Sequence, residues 1–135
     1  VDMTRTTGRA EIVRAGLESI AYQVADVVQA MAADSNTPIA AMSVAGAPTR
    51  NAYLMQFQSD ILGCPVVIPE NEEMTCLGVA CIAGEAAGLY GRESAGAGAA
   101  ECRPARWTFS PQMPQDVRAG KIKGWKKALD RTLRD

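Results

Sequence analysis

With no histidine among its 135 residues, the sequence leaves chemistry few places to start. That absence removes Ser-His-Asp and Cys-His nucleophilic schemes, imidazole proton shuttles and histidine-ligated metals together. The four cysteines, Cys64, Cys76, Cys81 and Cys102, have no paired CxxC spacing, so they read as buried, reduced thiols rather than as a zinc site. Neither a P-loop nor a GxGxxG dinucleotide fingerprint occurs. What remains is carboxylates, hydroxyls, backbone amides and a bound magnesium nucleotide. The sequence marks one turn by small residues and proline, Ala45-Gly46-Ala47-Pro48, with Asn51 three residues on. Glycine there tolerates positive φ. Asn51 stands where a following helix would take a cap for its free N–H groups.

Such a turn needs a strand before it and a helix after it, and the sequence provides both. Ile39–Val44 is a short apolar strand, and a helix is expected from about Arg50 to Leu62, with Gly63 as its left-handed terminator. Cys64–Pro69 gives a second strand, which a right-handed crossover places parallel to the first. Upstream, Val13, Leu17, Ile20, Val24, Val27 and Met31 recur at steps of three and four, predicting a long amphipathic helix from Arg9 to about Ala33 with that stripe toward the core. Asp34-Ser35-Asn36 and Pro38 end it.

Downstream of the acidic loop Glu70-Asn71-Glu72-Glu73 a Gly- and Ala-rich helix is expected from Thr75 to about Tyr90. Residues 91–106 read as a flexible surface loop. The segment 110–135 carries a final helix after Pro114, with Trp125 as a packing anchor and lysines 121 to 127 on its solvated face. The fold class is therefore α/β, in one domain of ordinary size. Its defect is that two parallel strands leave both edges unpaired, so further strands must come from another segment or chain, or the chain self-associates.

The net charge of −1 gives no field toward nucleic acid, and no apolar run reaches the roughly 18 residues that cross a bilayer. Neither a nucleic-acid nor a membrane partner is expected. No signal-peptide pattern is present either, and a cytoplasmic location is expected.

Several motifs in order carry a resemblance. Arg14-Ala15-Gly16-Leu17-Glu18-Ser19-Ile20-Ala21-Tyr22-Gln23 resembles the long helix in the C-terminal domain of FGGY carbohydrate kinases. Asn51-Ala52-Tyr53-Leu54-Met55-Gln56-Phe57-Gln58-Ser59-Asp60-Ile61-Leu62-Gly63 is closer to the glycerol kinase branch. Thr75, Leu77-Gly78, Ala83-Gly84, Phe109-Ser110-Pro111 and Gly124-Trp125-Lys126-Lys127-Ala128 continue the pattern.

The resemblance implies a partial actin/hexokinase-like (ribonuclease H-like) C-terminal domain, and a role in the transfer of a phosphoryl group from magnesium-ATP to glycerol. It implies that the polyol site and the general-base aspartate lie upstream of Val1, and that this chain supplies the adenosine side of the ATP site through Gly46, Ala47 and Asn51. It also implies ATP or ADP with magnesium as cofactor, and a homo-oligomer. The chain's partners would be the nucleotide, and either an N-terminal kinase half or a second copy of itself. The family's Asp-Gly-Gly-Ala turn is altered here, with Ala45 in place of the carboxylate and Ala47 in place of the second glycine. A degenerate, non-catalytic assembly module is the second reading. The stretch Thr75-Cys76-Leu77-Gly78 matches a segment that packs near the nucleotide, and reads equally as a helix start with close packing.

Overall fold

A computed structural model describes residues 3–70, 74–89 and 105–133. Its elements are α1 (Arg9–Ser35), β1 (Met42–Ser43), a 3-10 turn (Ala47–Arg50), α2 (Ala52–Leu62), β2 (Val66–Pro69), α3 (Met74–Ala86), β3 (Ala105–Phe109) and α4 (Gln115–Thr132).

Local chemistry explains most of the boundaries. The Gly8 N–H donates to Glu11 Oε2 at 2.9 Å, so a first-turn carboxylate satisfies a free donor at the start of α1. At its other end Asn36 takes the left-handed conformation (φ 50°), and the Thr37 N–H reaches back to Ala32 O at 3.3 Å. Gly63 closes α2 the same way, with φ 73° and its N–H on Ser59 O at 2.8 Å.

The expected parallel pair is present, with Met42 opposite Val66 and Ser43 opposite Val67. β1 is shorter than the sequence implied, two residues rather than six. A third strand completes the sheet in the order β1-β2-β3, and β3 runs antiparallel to β2 with Val66 opposite Phe109 and Ile68 opposite Trp107. Its first residues, Ala105 and Arg106, fall where a loop was expected; positions 91–104 of that loop lie outside the described residues. The strand escapes a local reading because its partner lies some forty positions away and its side chains stay mostly exposed, so no buried alternation marks it.

α2 is the centre of the packing. Leu54, Met55, Phe57 and Ile61 meet Val66 and Ile68 of β2 on one side and Ala21 and Ala25 of α1 on the other. Its buried polar side chains are all satisfied. Gln58 Nε2 donates to Ala21 O (3.2 Å), and the Ser59 hydroxyl shares its proton between Cys64 O (3.0 Å) and Phe109 O (2.9 Å). Asp60 Oδ1 accepts the Gln112 and Met113 N–H groups (2.7 and 3.1 Å) and Gln56 Nε2 (3.0 Å), pinning the segment that leads into α4. α4 then returns to α1, where Trp125 stacks on Tyr22 at 5.2 Å and donates Nε1–H to Asp26 Oδ2 at 2.7 Å.

The orientation of α1 reverses the expectation. Its core face is Ala21 and Ala25, and four of the six stripe residues point away: Val13, Ile20, Val27 and Met31 are 47–61% exposed, while Leu17 and Val24 are half-buried. Small side chains let α1 come close enough to α2 for Gln58 to reach a main-chain carbonyl. Periodicity identifies the most apolar face of a helix, but here close approach decides which face meets α2.

Candidate functional site

β1 delivers the chain to Ala45 and Gly46 at the end of the sheet. Gly46 has φ 98° and ψ 177°, a backbone region open essentially to glycine alone. A Cβ built there has Pro48 Cδ, 3.9 Å away, as its nearest neighbour, so the dihedral and not crowding demands glycine. The turn is closed from within. Both the Thr49 N–H (3.1 Å) and the Thr49 hydroxyl (2.7 Å) donate to Gly46 O, and the Asn51 N–H donates to Pro48 O (3.1 Å).

Consequently α2 begins at Ala52 rather than at Arg50, after a 3-10 turn, and Asn51 is its N-cap. Asn51 Oδ1 accepts the Leu54 N–H at 3.1 Å. That bond uses only the oxygen of the amide, so its NH2 group keeps its donor capacity. Ala45 and Ala47 are exposed at the same corner, and Gly46 and Asn51 are half-buried. The three sequence-predicted site residues, Gly46, Ala47 and Asn51, are thus gathered in one six-residue corner between β1 and α2. The corner brings no carboxylate, and Pro48 has no N–H to offer, so any magnesium must be held by phosphate oxygens and by groups other than these.

Next to the corner lies a cluster that sequence reasoning passed over. The Tyr53 hydroxyl, two residues past the cap, donates to Glu18 Oε1 at 2.7 Å; Arg14 Nε donates to the same oxygen at 2.7 Å; Lys121 Nζ stands 3.7 Å from Oε2. One carboxylate therefore joins α1, α2 and α4. Burial pushes the Glu18 carboxyl up, but the Tyr53 and Arg14 hydrogen bonds and the Lys121 charge outweigh it and hold it below its ordinary value. Tyr53 is raised, by burial first and by Glu18 second. Tyr22 is pushed up to about 12 by burial, with the Glu18 charge adding to it. Of these contacts only the Arg14–Glu18 spacing of four was legible, as an ordinary helix pair.

The remaining candidates are dispersed. Thr75, Cys76, Leu77 and Gly78 form the start of α3. Glu72, Glu73 and Cys102 lie outside the described residues. Cys64 is buried and its thiol is pushed up by burial, but Cys76 is exposed and Cys81 half-buried, which corrects the expectation of uniformly buried thiols. The reason is that the described part of the fold leaves most of α3 uncovered, with Val79 and Ile82 at 63% and 70% exposure. Among the described residues no three His, Cys, Asp or Glu side chains gather as a metal site, and no helix is long and apolar enough to cross a membrane.

Comparison with known proteins gives the family. Residues 1–87 match the model of the FGGY family of carbohydrate kinases, C-terminal domain. A glycerol kinase of Dechloromonas aromatica is 44% identical over 135 residues, covering 97% of this chain and 26% of that relative. The crystal structure of Plasmodium falciparum glycerol kinase with ADP superposes with a TM-score of 0.83 at 32% identity, over 100% of this chain and 26% of that one. The xylulose kinase of Rhodospirillum rubrum shares the fold, with a TM-score of 0.72 at 22% identity over 98% of this chain and 26% of its own. The chain thus spans about a quarter of the length of the relatives it matches. It belongs to the FGGY family of carbohydrate kinases, and it corresponds to part of the family's C-terminal domain.

Proposed function

We propose that the chain is an incomplete C-terminal domain of a glycerol-kinase-like ATP:polyol phosphotransferase and forms the adenosine side of its ATP site. The observation that carries this reading is the corner at the end of β1. Gly46 holds a glycine-only conformation there, and the Asn51 amide stands at the head of α2, in a chain that superposes along its whole length on a glycerol kinase described with ADP. The nucleotide base and ribose lie against the backbone of Gly46 and Ala47, and the Asn51 NH2 group donates to them. In the complete enzyme a glycerol oxygen attacks the γ-phosphorus, the bond to the departing ADP oxygen breaks, and the hydroxyl proton passes to a base outside this chain.

Phosphoryl transfer needs both walls of a cleft to position the reactants and neutralise charge. The chain by itself therefore turns over no ATP. It acts in the cytoplasm, joined to the remainder of a kinase within a homo-oligomer. Adding magnesium-ADP to the isotope-labelled chain and following its amide resonances tests the site. Shifts concentrated at residues 45–51 are expected; shifts confined to other elements, or none at millimolar nucleotide, would overturn it.

A second reading has its own support. Ala45 and Ala47 replace a carboxylate and a glycine of the family's turn, and a large apolar face of α1 is open. On that reading the chain is a non-catalytic assembly module. Its mark is a defined complex with no affinity for nucleotide.

A further inference from the structure

Glu18 takes neighbours from three helices and is shielded from water: its side chain is 13% exposed, although that of Arg14 beside it is 62% exposed. Its Oε1 accepts both the Tyr53 hydroxyl and Arg14 Nε at 2.7 Å, and Lys121 Nζ stands 3.7 Å from Oε2. A hydrogen bond to an ionised acceptor is about twice as strong as one between neutral groups, and shielding keeps it so.

Tyr53 is where this carboxylate meets the corner. It lies in the first turn of α2, two residues past the Asn51 cap and next to Leu54, whose N–H Asn51 Oδ1 accepts. The first turn of a helix is short of main-chain bonds, so side-chain contacts decide how it sits. The buried residues of α2 begin only at Leu54, and Gln58 reaches the Ala21 carbonyl further down the helix. At Tyr53 itself packing is loose. Its ring stacks on Phe57 at 6.1 Å and has the Arg14 guanidinium 6.0 Å from its centre, but it is 42% exposed and borders an open groove of about 600 Å³ that Ala10, Val13 and Leu17 also line. The ring has room to swing, and the hydroxyl bond to Glu18 fixes where it lies. Burial and the Glu18 contact raise Tyr53 above its ordinary value, so the phenol keeps the proton it donates at neutral pH.

We infer that Tyr53 and Glu18 are positioning residues for the nucleotide: the bond between them sets the first turn of α2 against α1, and thereby sets where the Asn51 NH2 group points. This rests on the reading that the corner takes ADP. A donor aimed at a ligand works only when its support holds it to within about 0.5 Å, and Asn51 spends its oxygen on its own helix, so the direction of its NH2 group follows the first turn as a whole.

The test adds magnesium-ADP to the isotope-labelled chain, follows its amide shifts and compares dissociation constants, with circular dichroism showing that each variant is folded. Tyr53→Phe keeps the ring and removes only the hydroxyl, and should weaken binding about three- to tenfold. Glu18→Ala should do the same, whereas Glu18→Gln, whose amide oxygen still accepts from the phenol, should stay within about twofold of the unaltered chain. In the Asn51→Ser background Tyr53→Phe should add no further loss, because the group it positions is gone. Trp125→Phe is the control. It keeps the stack on Tyr22 and removes the bond to Asp26, loosening α4 from α1 away from the first turn of α2, and affinity should hold. Unchanged affinity in Tyr53→Phe, an equal loss in Trp125→Phe, or losses that multiply in the Asn51→Ser background overturn the inference and leave the Tyr53–Glu18 bond a matter of stability alone. If the unaltered chain shows no shifts at millimolar magnesium-ADP, the nucleotide reading itself falls and the inference falls with it.

Discussion

Gly46 and Asn51 do different work within six residues of each other. Gly46→Ala would force a methyl-bearing residue into φ 98°, a strain of about 1–3 kcal/mol. Chemical denaturation should show a loss of that size, although the position is uncrowded. Asn51→Ser keeps a side-chain oxygen for the Leu54 N–H and removes the amide donors, so stability should change by no more than a few tenths of a kcal/mol. Glu18 carries the pH dependence. Its carboxyl is held below its ordinary value in the folded chain, so its contribution is fully present above the ordinary glutamate range and is lost as pH falls through the lower, folded value. Glu18→Gln should therefore flatten the acid side of a stability-against-pH curve and leave its slope near neutrality unchanged. Gly46 and Asn51 were legible in the sequence because a turn and a cap are local. The Tyr53–Glu18 bond was not, since it joins positions 35 residues apart.

At the scale of elements, stop signals were read well and faces poorly. Asn36 and Gly63 end α1 and α2 by left-handed backbone, a property of single residues that sequence displays directly. Which side of α1 is buried depends on a neighbour, and here α2 selects the two alanines over the aliphatic stripe. The reversal makes a paired prediction from unfolding curves. Ala25→Leu should cost about 1–3 kcal/mol by overpacking the α1–α2 contact, and Val27→Ser should stay within about 0.5 kcal/mol. Equal costs, or the opposite order, would mean that the stripe is buried in the free chain. β3 shows the same limit in a strand: Ala105–Phe109 has little alternation of its own, and its identity comes from the register with β2.

As a whole, the molecule has a finished side and an unfinished one. The alanine face of α1, α2 and β2 build a core, with Phe109 of β3 and Ile122 of α4 packed against it, and its buried polar groups all have partners among the described residues. The outer line of α1 and Val79 and Ile82 of α3 have the composition of interior surfaces and the exposure of exterior ones. That asymmetry, and the match to a quarter of each relative's length, accord with the proposal that the chain is one wall of a nucleotide site. Calorimetric titration of magnesium-ADP into the purified chain tests this claim most directly, with Asn51→Ser as the paired variant and sedimentation velocity on the same sample. Saturable one-to-one binding, weakened at least about tenfold by Asn51→Ser at unchanged stability, is the predicted result. Failure to bind at millimolar nucleotide by a folded chain of defined mass would contradict it and leave assembly as the chain's role.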